Sequence, residues 1–157
     1  MISHLPSPSS ILLIQILATS MMTGIIWFVQ IVHYPLFTKI PKEGFTRYEQ
    51  AHTVRTGWVV APLMLLELGT ALLLLFYRPE GLAKSLSTSP IYLTALGCLI
   101  LIWLSTFLVQ VPLHGVLEKQ SDHRAMLLLD RTNWIRTILW SLRLGLLALL
   151  PAATGLY

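Results

Sequence analysis

The stretch RTGWVVAPLMLLELG, Arg55–Gly69, resembles a second stretch later in the chain, RTNWIRTILWSLRLG, Arg131–Gly145. Both have Arg-Thr two residues before a Trp and both end in Leu-Gly, but Glu67 of the first stretch is replaced by Arg143 in the second. Each stretch belongs to an apolar run of roughly the 20 residues that an α-helix needs to cross a ~30 Å hydrocarbon layer. Charged side chains are costly inside the hydrocarbon layer, so Glu67 and Arg143 are each expected to face a partner inside a helix bundle.

Similar apolar runs account for most of the chain. They cover roughly Ile11–Val32, Gly57–Tyr77, Ile91–Leu113 and Trp134–Thr154. The 157 residues are 55% hydrophobic and 11% charged, whereas a soluble domain carries about 25% charged residues. Because a chain inside lipid must satisfy its backbone hydrogen bonds internally, we predict an all-α fold. It is a single integral membrane domain over residues 1–157, a bundle of four transmembrane helices.

The similarity between the two halves extends backwards from the opening stretches. Gln30, His33 and Pro35 lie near the end of the first run, and Gln110, Pro112 and His114 lie near the end of the third. We therefore predict a helical hairpin that is used twice, over about residues 11–77 and 91–154. Two spans per unit make the repeats parallel, related by an axis along the membrane normal.

The basic residues predict the orientation. Most of them lie in the loops that join helix 1 to helix 2 and helix 3 to helix 4, whereas Arg78 and Lys84 are alone on the other side. The positive-inside rule makes the two basic loops cytoplasmic and puts both termini outside, and we expect a bacterial inner membrane. The net charge of +4 suits anionic lipid headgroups and gives no reason to invoke nucleic acid. The single Cys98 excludes an intrachain disulfide.

Glu67 and Arg143 occupy matching depths. Each lies nine residues after its Trp, which at 1.5 Å per residue is about 13.5 Å into the membrane. We predict a structural intramembrane pair that fixes how helix 2 meets helix 4. The alternative is that Glu67 carries a proton or binds a ligand.

Three histidines, His33, His52 and His114, are expected at the cytoplasmic boundary, with the carboxylates of Glu49 and Asp122 nearby. Imidazoles that converge from several bundle helices are typical of a non-haem metal site. We therefore predict that the three bind a transition metal, iron or copper. An axial haem pair, His bases acting on a substrate, and simple capping of helix ends stay open as alternatives.

Four further residues are predicted to be catalytic. Tyr48 and Arg55 lie at helical spacing from His52, and Asn133 and Arg136 lie at the matching end of helix 4. Guanidinium groups suit the binding of an anionic oxygen. We expect Arg55, Asn133 and Arg136 to orient such an oxygen or a headgroup, with the Tyr48 hydroxyl beside His52.

Several short motifs carry a resemblance to a known family. They are His33-Tyr-Pro, Tyr48…His52-x-x-Arg55, Val111-Pro-Leu and Asn133-Trp-x-Arg136-Thr. This pattern, from about Trp27 to Gly145, resembles the anthrone-oxygenase-like family of small four-helix membrane proteins. The resemblance implies a bundle with a site near one membrane face and oxidation of a lipophilic aromatic substrate. His114 stands where the family commonly has Asn, which implies a different site chemistry.

The leading functional hypothesis is a membrane oxidoreductase or oxygenase that acts on a lipophilic small molecule between the cytoplasmic halves of the helices. Two other classes stay open. One is a non-catalytic accessory subunit of a larger electron-transfer or photosynthetic complex. The other is a small transporter with Glu67 and Arg143 as a midplane gate, built as a homo-oligomer because four helices are few for transport.

Overall fold

Four long helices make up the part of the chain that the structure, a computed structural model, describes: residues 6–76 and 88–153. They are helix 1 (Pro8–Phe37), helix 2 (Lys42–Phe76), helix 3 (Pro90–Leu117) and helix 4 (His123–Ala153). Each is long and apolar enough to cross a membrane. The described residues contain no strand, so the predicted all-α, four-transmembrane-helix fold is confirmed.

The predicted spans extend outward in the structure. Helix 2 has 35 residues, about 52 Å at 1.5 Å per residue, which exceeds a ~30 Å hydrocarbon layer. The charged residues of this helix, apart from Glu67, lie in its amino-terminal part, next to the short loops 38–41 and 118–122. We call this end of the bundle, with its Lys and Arg residues, the basic end. Tyr77, Thr154, Arg78 and Lys84, which entered the sequence predictions, lie outside the described residues.

Side-chain oxygens cap the starts of helices 1 and 4. Ser7 Oγ accepts from the Ser10 N–H at 3.2 Å, and Asp122 Oδ1 accepts from the N–H groups of Arg124 and Ala125 at 2.8 and 3.1 Å. Such caps satisfy backbone donors that have no partner inside the helix. Asp122, which the sequence offered as a carboxylate near the histidines, is thus a helix cap.

The helices surround the core in the order 2, 1, 4, 3. Helix 1 packs against helices 2 and 4, and helix 4 packs against helix 3. Helices 2 and 3 meet at the basic end, where helix 2 contacts Val111–Leu117, and near the opposite end, where the Tyr92 hydroxyl donates to the Ala71 carbonyl at 2.7 Å. A cleft lined by residues of both helices runs between these contacts.

Buried apolar side chains form one cluster at each end of the bundle and one in the middle. The middle cluster joins all four helices through Met22, Ile26, Met64, Ile102 and Trp140. Tyr92, Leu74 and Leu147 belong to the cluster at the far end, and Phe37, Phe45, Leu117 and Leu129 to the cluster at the basic end. These clusters fix the positions of the helices that carry the polar side chains described below.

Helices 1 and 3 each contain one π-helical turn, Val29–His33 and Thr106–Gln110. Each turn ends two residues before a proline, Pro35 or Pro112. Proline has no N–H and its ring crowds the carbonyl four residues back, and a wider turn relieves that conflict. The matching placement agrees with a duplicated hairpin, but the repeat itself stays a prediction.

The predicted pair of intramembrane charges is present. Arg143 Nε lies 3.4 Å from Glu67 Oε1, and both side chains are fully buried. Glu67 also accepts from Thr19 Oγ1 at 2.6 Å and from Trp140 Nε1 at 3.0 Å, while Arg143 Nη1 donates to the Ala95 carbonyl at 2.6 Å. The pair therefore links all four helices, where the sequence predicted only helices 2 and 4.

Candidate functional site

The three predicted histidines come together at the basic end of the bundle. His33 ends the π-helical turn of helix 1, His52 lies on helix 2, and His114 lies in the last turns of helix 3. The ring centroids of His33 and His52 are 4.3 Å apart, and those of His52 and His114 are 5.7 Å apart. The three rings therefore lie together at one end of the bundle.

Ring nitrogens of the three histidines contact one another or other side chains and do not converge on one point where a metal ion could bind. His33 Nε2 lies 2.9 Å from His52 Nδ1, while His114 Nδ1 contacts Glu49 Oε1 at 2.5 Å and His114 Nε2 contacts the Tyr34 hydroxyl at 3.0 Å. Among residues 6–76 and 88–153, no three His, Cys, Asp or Glu side chains are arranged to hold a metal ion. Because both nitrogens of His114 are engaged, the three rings do not fit one ion as they stand. Their role as metal ligands stays a prediction that this arrangement does not favour.

Glu49, His114 and Tyr34 instead form a hydrogen-bonded triad. Glu49 is fully buried and Tyr34 is nearly so, and a neutral imidazole has one donor and one acceptor nitrogen. When His114 Nδ1 donates to the Glu49 carboxylate, its Nε2 accepts from the Tyr34 hydroxyl. The buried carboxylate thereby fixes the tautomer of His114 and polarises the phenol O–H toward the imidazole.

A second network positions Arg136 of helix 4. Arg136 Nη1 donates to Asn133 Oδ1 at 3.2 Å, and Asn133 Nδ2 donates to Gln30 Oε1 at 3.0 Å. Gln30 Nε2 in turn donates to Asp130 Oδ1 at 2.8 Å. The guanidinium lies over the Trp140 ring, 5.1 Å from its centroid, and interacts electrostatically with Tyr34. The triad and this network therefore meet at Tyr34.

Both networks border a cavity of about 580 Å³ between helices 1, 2 and 3, which we call the site cavity. Most of its wall is apolar and includes Met22, Ile26, Val60, Met64, Trp103 and Phe107. Its polar part consists chiefly of Tyr34, His52, Gln110, His114 and Arg136. An apolar pocket with a few convergent polar groups is the usual form of a site for a small lipophilic molecule.

The four residues predicted to be catalytic have different positions. Arg136 lines the site cavity, and Asn133 accepts a hydrogen bond from Arg136. Tyr48 is 40% exposed, and its ring stacks parallel to the His52 ring at 6.3 Å. Arg55 is exposed and does not line the cavity.

The position of Arg55 follows from the rotation of helix 2. The residues of this helix that line the cavity include His52, Thr53, Thr56 and Val60. His52 is at one edge of that face, so Arg55, which lies farther round the helix, points away. The expected help of Arg55 in binding an oxygen therefore finds no support in its position.

Sequence reasoning missed Tyr34 and gave Glu49 only an accessory role. Tyr34 belongs to the His33-Tyr-Pro motif, and a buried Tyr near the end of a transmembrane helix needs a hydrogen-bond partner. Glu49 lies three residues before His52, and a carboxylate on the inner face of a bundle helix also requires a partner. These two rules were the available signals, and neither could identify His114 as the shared partner.

A comparison of the chain with family models, with curated proteins and with solved structures finds no match.

Proposed function

We propose that the chain is an integral membrane enzyme that oxidises a lipophilic aromatic substrate bound in the site cavity. The observation that carries this proposal is the mainly apolar cavity of about 580 Å³ whose polar lining includes two imidazoles, a phenol, an amide and a guanidinium. Two of these groups, Tyr34 and His114, belong to a triad with a buried carboxylate. By the positive-inside rule, the basic end puts this site at the cytoplasmic face.

His52 is the general base in this proposal. When its Nδ1, 2.9 Å from His33 Nε2, donates to that nitrogen, the lone pair of His52 lies on Nε2. Thr56 Oγ1, 3.1 Å from the same Nδ1, helps to hold the ring. His52 can then take a proton from a substrate C–H that is acidified by a neighbouring carbonyl or aromatic ring.

Arg136 stabilises the negative charge that this proton transfer creates. Deprotonation next to a carbonyl moves charge onto the carbonyl oxygen, and donors that are fixed in advance around such an oxygen lower the barrier. Arg136 is held by Asn133 and by the Trp140 ring. Tyr34 donates its only O–H to His114, which Glu49 orients, and its oxygen interacts with Arg136 and helps to position the guanidinium. The guanidinium therefore does not have to reorganise when the charge appears.

The oxidation itself is supported by the resemblance to the anthrone-oxygenase-like family. In this proposal dioxygen is the co-reactant, and a methylene group becomes a carbonyl. One oxygen atom enters the substrate, and the other leaves as water with the two methylene hydrogens. His52 carries the first of those protons. A metal-dependent variant would require His114 to release Glu49 or Tyr34, so the arrangement favours histidine bases over histidine ligands.

The test uses purified protein in micelles with a hydroxyanthrone as substrate, following dioxygen uptake and quinone absorbance. We expect one dioxygen consumed per quinone formed. Replacing His52 with Gln should lower kcat by roughly 10²-fold or more, the usual contribution of a general base. His123→Gln is the matched control, because His123 is exposed at the start of helix 4 and should leave kcat within about twofold. Absence of turnover by folded protein, or equal rates for the two variants, would refute the proposal.

A further inference from the structure

A second cavity, of about 430 Å³, lies in the cleft between helices 2 and 3. Its walls include Leu68, Leu72 and Leu75 of helix 2 and Leu99, Ile100 and Leu104 of helix 3. We call it the apolar groove, because no polar residue except Trp103 contributes to it. Leu72, Ile100 and Leu104 are 40%, 53% and 48% exposed, so the groove is open toward the hydrocarbon layer.

The apolar groove continues the site cavity. Trp103 and Phe107 belong to the walls of both, and on helix 2 the wall passes from Leu65 in the cavity to Leu68 in the groove. From Leu68 to Leu75 the groove extends about 10 Å along the helix axis. A molecule with its head at the basic end could therefore place a chain of that length between the two helices.

The polar part of the site cavity contains buried atoms without a hydrogen-bond partner in the described structure. They are the acceptor Gln110 Oε1 and the donor Arg136 Nε, on side chains that are 1% and 6% exposed. Buried polar groups in folded proteins nearly always have a partner. A ligand head with one hydroxyl donor and one carbonyl or anionic acceptor would satisfy both atoms.

Resting on the proposed function, we propose that the substrate class is an aromatic hydroxyketone that carries a single long hydrocarbon tail. The head occupies the site cavity, with its hydroxyl toward Gln110 and its carbonyl oxygen toward Arg136. The tail occupies the apolar groove along Leu68–Leu75. The structure thus points to a membrane-resident substrate whose aromatic head carries a tail.

The test uses 2-hydroxy-1,4-naphthoquinones without a tail, with a butyl tail and with a decyl tail. Their binding to the protein in micelles is followed by quenching of tryptophan fluorescence. The Trp103→Phe variant shows how much of this quenching comes from Trp103, which lies at the junction of the two cavities. The blocked variant, Leu72→Phe with Ile100→Phe, has a larger side chain on each wall, which fills part of the groove. The matched control is Leu73→Phe with Leu101→Phe, since these neighbours are similarly exposed and lie outside the groove.

We expect the decyl compound to bind the wild type and the control more tightly than the tailless compound does. In the blocked variant this gain in affinity should be smaller by a factor of at least about three. This is the size of a typical packing or hydrogen-bond contact inside a membrane protein. Partition into micelles cancels, because every protein is measured in the same micelles. The tailless compound should bind all three proteins equally, which also reports correct folding.

Two outcomes would overturn the inference and separate it from the proposed function. If the tailless compound binds but tail length has the same effect in the wild type and the blocked variant, the groove does not hold a tail, and the proposed function stands. If no compound binds the wild type, the site cavity does not take such heads, and both proposals fail.

Discussion

Replacing Glu67 with Leu should destabilise the bundle more than replacing Arg143 with Met. The Leu substitution removes the acceptor for Thr19, Trp140 and Arg143. It leaves a guanidinium, fully buried, with only the Ala95 carbonyl as a partner among the described residues. Arginine does not lose its proton in proteins. Breaking a buried ion pair in this way costs about 3–5 kcal/mol of unfolding free energy.

The reverse substitution leaves a group that can adapt. In Arg143→Met the Glu67 carboxyl keeps its hydrogen bonds from Thr19 and Trp140, and it can take up a proton and become neutral. Burying a neutral, hydrogen-bonded carboxyl is far cheaper than burying an isolated charge. We expect a loss of about 1.5–3 kcal/mol, the range for a lost hydrogen bond to a charged group.

The double variant Glu67→Leu with Arg143→Met completes the comparison. It leaves no unpaired charge, so its cost should be smaller than the sum of the two single costs, by a coupling of at least about 1 kcal/mol. Unfolding in mixed micelles, followed by circular dichroism, measures all three. Leu142→Met, an exposed neighbour on helix 4, should stay within about 0.5 kcal/mol of the wild type.

Two results would refute this reasoning. Equal costs for the two single variants would show that protonation of Glu67 does not relieve the loss of Arg143. Strict additivity in the double variant would show that the 3.4 Å contact carries no coupling, and the pair would then not be a structural link.

Three other predictions follow from the site and the helix ends. Glu49→Gln should lower kcat by roughly 10-fold or more with little change in KM, because the amide no longer fixes the His114 tautomer. Steady-state kinetics across the substrate range measures kcat and KM separately, and a change in KM alone would contradict this prediction. Prolonged chelation should leave turnover within about twofold, because the histidines contact Glu49, Tyr34 and one another; activity lost to the chelator and restored by iron or copper would instead support the metal prediction. Asp122→Ala should lower the unfolding free energy by about 1 kcal/mol through loss of the cap on helix 4, and unchanged thermal unfolding would contradict the capping role.

The helices and the depth of the charged pair could be predicted because both depend on the chain's own geometry. Length and hydropathy define a span, and a fixed rise per residue puts Glu67 and Arg143 at one level. The structure adds that Thr19, Trp140 and Ala95 join the pair. Those partners depend on how the helices are rotated against one another, which packing decides.

The site was predicted less completely because two π-helical turns interrupt the α-helical spacing. A π turn accommodates an extra residue, so counting by threes and fours beyond Val29 or Thr106 assigns side chains to the wrong face. Tyr34 and His114 both follow such turns, and their contact could not be predicted from periodicity. Arg55 illustrates the related problem on helix 2, where the spacing from His52 was right but the rotation of the helix was unknown.

In the proposed function, the cleft between helices 2 and 3 also determines which concentration of the substrate controls binding. A molecule that enters sideways through the cleft never leaves the bilayer, so occupancy depends on its mole fraction among the lipids and not on its amount per volume of water. Adding phospholipid at a constant total amount of such a molecule would dilute it in two dimensions and lower the occupancy. An organism could therefore control this protein by changing the area and composition of the membrane around it.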